Sequence, residues 1–316
     1  MNMCTVFFKI GSISIYGYGV MMALGLISAV YLGCFRAKYY NIDPDVFFNG
    51  AFWGIVFGLL GAKVMYWIVE IKEVIANPRI LLDVGSGFVV YGGLITGIIT
   101  PYFYFTKVKK GSTLDKLDLA MPSISIGQFF GRMGCLMAGC CYGKALESHT
   151  WYGMVFPAES SAPAGIELYP TQLMSAIGNL LLCLFLIIMT DRVRFRGQVI
   201  SLYMICYSVG RFLIEYLRDD PRGTVGIFST SQFISLIMFT GGIILWFVFK
   251  KVGLPPLRRV RRGETAEAAQ PEEPAPEDAE LSDAEPADEE AMDEEPADEE
   301  PADPDPINED LQEAEA

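Results

Sequence analysis

The chain predicts an all-α fold: a polytopic membrane bundle of about seven transmembrane helices, followed by a disordered acidic tail. Three observations carry that expectation. Of the 316 residues, 52% are hydrophobic, and they gather in seven windows of about twenty residues, the length that spans a bilayer. Charge divides the chain near Gly263: residues 264–316 hold 24 Asp and Glu with no Lys or Arg, whereas the first 263 carry a net charge of +10. Basic residues are also unequal between alternate loops, which sets an orientation.

The expected spans are Ile13–Cys34, Val46–Val69, Phe88–Phe105, Leu119–Leu136, Leu173–Thr190, Val199–Leu217 and Ile227–Phe249. The first has full spanning length and lacks a small-residue cleavage site, so it reads as an anchor and not a cleaved signal. The second contains Lys63, and the third opens on Val90-Tyr91-Gly92-Gly93. The fourth is the least apolar, with Gln128 and Arg132 set among Gly127, Gly131 and Gly134, small residues that let neighbouring helices approach. One set of loops, including Arg36, Lys107, Lys116, Arg192 and Lys250, holds fifteen basic residues, and the other set holds six. The positive-inside rule then places the N-terminus outside and the C-terminus in the cytoplasm.

The expected organisation is a transmembrane domain over 1–252, a basic juxtamembrane segment over 253–263 containing RRVRR (Arg258–Arg262), and the tail over 264–316. The tail repeats EEPAD (Glu294–Asp298, Glu299–Asp303). It has too little apolar surface to offset chain entropy. It reads either as a solvated extension without a part in the chemistry or as an electrostatic docking arm.

Two arginines fall inside apolar stretches, Arg132 and Arg211. A guanidinium at mid-membrane costs about 2.5–3.5 kcal/mol on insertion scales, and such residues usually face a functional cavity. The planar fork of arginine binds phosphate bidentately, and the commonest intramembrane anion is a lipid phosphate. Tyr207, Arg211 and Glu215 stand at i, i+4 and i+8, on one helix face. That face is either a site or an ion pair that merely lets the helix insert. Arg132 has no acid within a turn, so its partner must come from another helix or from a ligand. The expected orientation brings Arg132, Arg211 and the Tyr91-Gly92-Gly93 segment to similar depth near the outer leaflet. The paired glycines suit either a headgroup lying against the backbone or close helix packing.

After Arg132 the sequence reads GRMGCLMAGCCYG, with Cys135, Cys140 and Cys141. These thiols and the only histidine, His149, raise a metal or a disulfide reading. Cys140 and Cys141 are adjacent, without the two-to-four-residue gap of zinc knuckles, and His149 follows in a hydrophilic loop, so no metal is assigned. A Cys135–Cys140 disulfide stays open. Cys4, Cys34, Cys183 and Cys206 read as ordinary small core residues.

VYGGLITG (Val90–Gly97), GRMGCLMAGCCYG (Gly131–Gly143), YPTQL (Tyr169–Leu173) and GRFLIEYLRDDP (Gly210–Pro221) occur in an order and spacing that resemble one enzyme family. That family is the phosphatidylglycerol–prolipoprotein diacylglyceryl transferases. YGYGVMMALG (Tyr16–Gly25) and GAKVMYW (Gly61–Trp67) support the likeness, which covers roughly residues 10–250. The resemblance implies a seven-span bacterial inner-membrane enzyme. It would move the diacylglyceryl group of phosphatidylglycerol to the lipobox cysteine thiol of a prolipoprotein, forming a thioether and releasing glycerol 1-phosphate. Its partners would be phosphatidylglycerol, the prolipoprotein signal peptide and membrane lipids, with no nucleic acid and no cofactor. Carried over by motif, Arg132 would hold the lipid phosphate. Arg211 would polarise the phosphate ester and the incoming thiol. Tyr18 and Tyr207 would line the cavity, Gly92 and Gly93 would lie at the headgroup, Gly143 closes the signature, and Glu215 is the acid beside Arg211.

The departures from the family pattern are specific. Many members carry His, proposed as the base, where this chain has Tyr91. Asn and an acid usually stand at the positions of Cys135 and Cys140, and Arg stands at Lys63. A phenol with a reference pKa near 10 is a poor base, so Tyr91 is expected to donate a hydrogen bond to the headgroup. Two other classes compete. A membrane thiol–disulfide protein would depend on Cys135, Cys140 and Cys141, and a non-catalytic lipid-binding protein would keep the scaffold without turnover.

Overall fold

A lipid interior offers no water to backbone N–H and C=O groups, so a spanning chain satisfies them within helices. In the computed structural model of the chain, each of the seven apolar windows coincides with a helix of 18 residues or more. The structure describes residues 6–10, 13–82, 87–107, 112–219 and 223–259. A hairpin of β1 (Val6–Ile10) and β2 (Ile13–Tyr16) leads into α1 (Gly17–Ala37) and α2 (Pro44–Val69). A short α3 (Ile71–Ala76) and a 3-10 turn (Pro78–Leu82) precede α4 (Val90–Lys107) and α5 (Thr113–Ala138). The two-residue strands β3 (Met154–Val155) and β4 (Glu167–Leu168) pair before α6 (Thr171–Thr190) and α7 (Gln198–Glu215). A final hairpin, β5 (Thr224–Val225) and β6 (Phe228–Ser229), opens α8 (Thr230–Val252).

Of these helices, α1, α2, α6 and α8 are long and apolar enough to cross a membrane. Many of their large apolar side chains point outward, among them Ile27, Leu59, Leu181 and Phe247. The interior is correspondingly polar: Lys116, Asp118, Ser125, Thr171, Gln172 and Ser201 are at most 1% exposed. This inversion is stable only where lipid solvates the outside.

The fourth window, the least apolar in sequence, becomes the hub. α5 packs against α1, α4, α6 and α7, and α2 packs along α4. Glycines make that second seam: a Cβ on Gly92 would stand 2.2 Å from the Gly61 carbonyl oxygen, and one on Gly93 would stand 3.0 Å from that of Gly58.

At one end, buried polar groups tie the bundle together. Arg36 donates from Nη2 to Thr190 Oγ1 (2.8 Å) and from Nη1 to the Leu119 carbonyl (3.2 Å). Asp118 accepts the backbone N–H of Gly197 (2.7 Å) and of Ile200 (2.9 Å), capping α7 from another helix. Arg196 pairs with Asp115 at 2.8 Å.

Several sequence expectations shift. Ile13–Tyr16 pair with β1 instead of starting the first helix, since Ile13 and Ile15 alternate with Ser14 and Tyr16 in a β-branched strand pattern. α1 runs a turn past Cys34, so Arg36 is a buried helix-end residue and not a loop cation. Lys116, also assigned to a loop, is fully buried at the start of α5. Residues 227–229 belong to the last hairpin and α8 starts at Thr230, because Ser229 caps the helix with its Oγ accepting the Gln232 N–H (3.2 Å). The chain divides into two units, Met1–Pro271 and Glu272–Ala316. The expected acidic tail, 264–316, lies outside the described residues.

Candidate active site

Arg132 on α5 and Arg211 on α7 line one cavity of about 410 Å³, which α6 borders on its other side. Tyr207, one turn before Arg211, joins them, and the rest of the wall is mostly apolar, with Leu181, Leu182, Phe185 and Ile214. A few convergent polar groups in an apolar pocket of this size are the usual form of a small-molecule site.

The two cations differ in their surroundings. Arg211 Nη1 pairs with Glu215 Oε2 at 2.6 Å, and Nη2 donates to Ser231 Oγ at 2.7 Å. Glu215 Oε1 accepts from Ser229 Oγ at 2.8 Å. α7 ends at Glu215 and not at the expected Leu217, so Arg211 stands one turn from that end. No carboxylate pairs with Arg132 among the described residues. Among the described residues the cavity therefore holds one guanidinium paired with an acid and one without, a standing demand for an anion.

Beyond Arg132 the chain folds back over the end of α5. Gly139 ends the helix in the left-handed region (φ 67°), and Cys141 is left-handed too (φ 64°). This double turn returns Cys140 and Cys141 to Cys135, and the three sulfur atoms lie within 4.8 Å of one another. Two residues at the start of α6 hold the turn: Thr171 Oγ1 donates to the Cys141 carbonyl (2.8 Å) and Gln172 Nε2 to that of Cys140 (2.9 Å). Arg218, just past α7, hydrogen-bonds the Cys141 side chain. Hydrogen bonds from Cys135 and Cys140, then Arg218, hold the Cys141 thiol well below its ordinary range.

The rest of this loop is a small cap with its own core of Leu136, Phe156, Ala162 and Leu168. Gly143 pairs with Arg218 in a β-bridge, and a Cβ there would stand 2.6 Å from Tyr169 Cβ. Packing accounts for this glycine. His149 Nδ1 bonds Glu167 Oε1 on the cap surface, away from the thiols, and that bond holds the Glu167 carboxyl below its usual range.

Of the residues singled out in sequence, Arg132, Tyr207 and Arg211 meet in the cavity and Glu215 holds Arg211. Tyr18 is half-exposed on α1, its ring against Gly134 on α5, and it is electrostatically coupled to Arg132 and the three thiols. Tyr91, half-exposed at the start of α4, does not line the cavity, and Gly92 and Gly93 serve the α2–α4 seam. Lys63 is buried with its ammonium 5.3 Å from both the Tyr66 and the Phe88 ring centres. Sequence reasoning missed Ser229 and Ser231, and it gave no role to Gln172 and Arg218 although they lie within the YPTQL and GRFLIEYLRDDP motifs. The Ser229–Gln232 capping box was a readable signal for the first. Ser231 reaches the site through tertiary packing, which no local pattern announces.

These features define a membrane protein of packed helices around a cationic cavity. The family described as prolipoprotein diacylglyceryl transferase matches residues 5–248. A phosphatidylglycerol–prolipoprotein diacylglyceryl transferase of Clostridium tetani is 47% identical over 244 residues, covering 77% of this chain and 96% of the relative. A second transferase of that name, from Clostridium perfringens, is 43% identical, covering 78% of this chain and 95% of the relative. One from Finegoldia magna is 32% identical, covering 78% and 96%. The chain belongs to the prolipoprotein diacylglyceryl transferase family.

Proposed function

We propose that this protein is an inner-membrane enzyme that transfers the diacylglyceryl group of phosphatidylglycerol to the lipobox cysteine of a prolipoprotein. The observation that carries the proposal is that Arg132, which meets no carboxylate among the described residues, and a Glu215-anchored Arg211 line one apolar cavity. The lipid phosphate supplies the missing anion, with Arg132 as its clamp. The thiolate attacks the glycerol carbon that bears the phosphate, a carbon–sulfur bond forms, and the carbon–oxygen bond breaks. The electron pair leaves on the phosphate oxygen as glycerol 1-phosphate. Charge builds on that oxygen in the transition state, and preorganised guanidinium donors stabilise it most where water is excluded. The same cations favour the nucleophilic thiolate over the thiol. Tyr91 serves at most as a hydrogen-bond donor to the lipid headgroup, with Tyr18 and Tyr207 as contact residues.

The proposed topology has seven crossings with the N-terminus outside, a transmembrane domain over 1–252, a basic segment over 253–263 and an acidic tail over 264–316. The loop following Arg132 then lies outside, where a secreted lipobox presents its thiol.

The test supplies purified protein with phosphatidylglycerol labelled in its acyl chains and a lipobox peptide. Label on the peptide thiol, lost in Arg132→Ala and in Arg211→Ala, is the expected result. Saturable phosphatidylglycerol binding with no label transferred would replace the transferase by a lipid-binding protein.

A further inference from the structure

The transferase reading uses the arginines and leaves unexplained why three thiols are gathered one turn beyond Arg132. We propose that Cys135, Cys140 and Cys141 are three ligands of a thiophilic divalent cation, such as zinc, whose fourth position receives the substrate thiol. The second half rests on the transferase reading, while the site itself does not.

The geometry suits such an ion. Metal–sulfur bonds of about 2.3 Å in a tetrahedron place sulfur atoms ~3.8 Å apart. The three sulfurs already lie within 4.8 Å of one another, so side-chain rotation closes the remainder. Two successive left-handed corners in three residues, one of them at a non-glycine, are needed to return Cys140 and Cys141 to Cys135. A non-glycine residue held in that region is strained and persists only where its surroundings fix it. Thr171 and Gln172, each 1% exposed, do so through the two cysteine carbonyls. This is the supporting arrangement typical around metal ligands. Three thiolates and a divalent cation leave one net negative charge, and the buried Arg218, which hydrogen-bonds Cys141, faces it.

No fourth His, Cys, Asp or Glu joins the group among the described residues. A closed structural zinc site has four protein ligands, whereas three ligands and an open position characterise a catalytic one. The reaction to be served is alkylation of a thiol. On binding the ion, the lipobox thiol loses its proton to solvent and remains a thiolate at neutral pH. That thiolate forms the carbon–sulfur bond as the phosphate ester bond breaks, and the new thioether, a weaker ligand, leaves the ion.

The experiment uses full-length protein, purified in reductant and stripped with chelator. It is titrated first with zinc against a chromophoric competitor and then with cobalt. One zinc per chain is expected. Cys140→Ser and Cys141→Ser should each weaken binding by more than tenfold, and Thr171→Val by roughly 10–100-fold, while Cys34→Ser changes nothing. Cobalt should give thiolate charge-transfer absorption, and a lipobox peptide should shift the cobalt visible bands while its Cys→Ser analogue does not. Zinc binding that survives Cys141→Ser in folded protein, or a disulfide in place of a zinc site, overturns the proposal. Full transfer by zinc-free enzyme overturns the catalytic half and leaves the transferase intact. A three-thiolate cobalt spectrum in a protein that transfers no label under any condition keeps the site and removes the transferase.

Discussion

Arg211 and Glu215 meet at 2.6 Å one turn apart on α7, and Ser231 and Ser229 at the start of α8 grip the far side of each. The order of the pair is the weaker one for a helix on its own. What fixes it is the neighbouring helix, so the guanidinium is aimed into the cavity by two serines as much as by its acid.

This aim is testable at Glu215. Glu215→Gln keeps the size and one hydrogen-bonding oxygen but leaves Arg211 without a counter-charge. A misplacement of about 1 Å costs on the order of 10²-fold in rate, so transfer should fall by that order with phosphatidylglycerol KM changed far less. Ser229→Ala should produce a smaller loss in the same direction. Wild-type turnover in Glu215→Gln would show that the acid serves insertion and not positioning.

Tyr91 supplies a prediction of the opposite kind. It stands at the start of α4 outside the cavity lining. Tyr91→Phe should therefore keep transfer within about tenfold of wild type, since a single neutral hydrogen bond contributes about 0.5–1.5 kcal/mol at most. A loss of 10³-fold or more would make Tyr91 a participant in proton transfer.

How much of this was legible beforehand follows from the kind of signal each residue leaves. Arg132 and Arg211 stood out because charge inside an apolar window is costly wherever it occurs. Gly92 and Gly93 were ambiguous, since a glycine beside a headgroup and one beside another helix look the same in sequence. The structure supplies the helix, through the backbone of Gly58 and Gly61. The cysteines were discounted on linear spacing, yet two left-handed residues bring them together in a way spacing cannot report. The centrality of α5 was hidden for a related reason. A helix surrounded by other helices needs little apolar character of its own, so it scored as the poorest span.

The α2–α4 seam can be probed at Gly92. A methyl there would stand 2.2 Å from the Gly61 carbonyl oxygen, which is backbone and cannot rotate away. The helices must separate, and overpacking of this kind costs about 1–3 kcal/mol. Gly92→Ala should lower the thermal midpoint in detergent. Gly178→Ala, where a Cβ meets nothing within 4 Å, should leave it unchanged. If the two behave alike, the seam is not close-packed.

The surface cap responds to acid through Glu167. Its carboxyl is held low chiefly by the His149 hydrogen bond, and its Oε2 also accepts the Thr150 N–H at 3.2 Å. A carboxylate with a depressed folded pKa contributes stability that is complete above its unfolded value, about 4.3, and is lost as pH falls through the folded value. Hydrogen-exchange protection of the Thr150 amide should be constant above pH ~5 and decline below ~4. Glu167→Gln should abolish that dependence, and a decline that persists in the variant would assign it to another group.

Asp118 tests the opposite end of the bundle. It caps α7 from α5, accepting N–H bonds from Gly197 and Ile200 while fully buried. Removing the acceptor leaves two helix-terminal donors without a partner in an interior that supplies no water, at about 1–3 kcal/mol for each. Asp118→Ala should therefore destabilise the protein more than Asp118→Asn, whose amide oxygen can still accept one of the two bonds. Both effects should appear as a lower unfolding midpoint, with phosphatidylglycerol affinity at the distant cavity preserved in the folded fraction. Equal midpoints for Asp118→Ala and wild type would mean that α7 holds its start by packing alone, and that the cap is incidental to the fold.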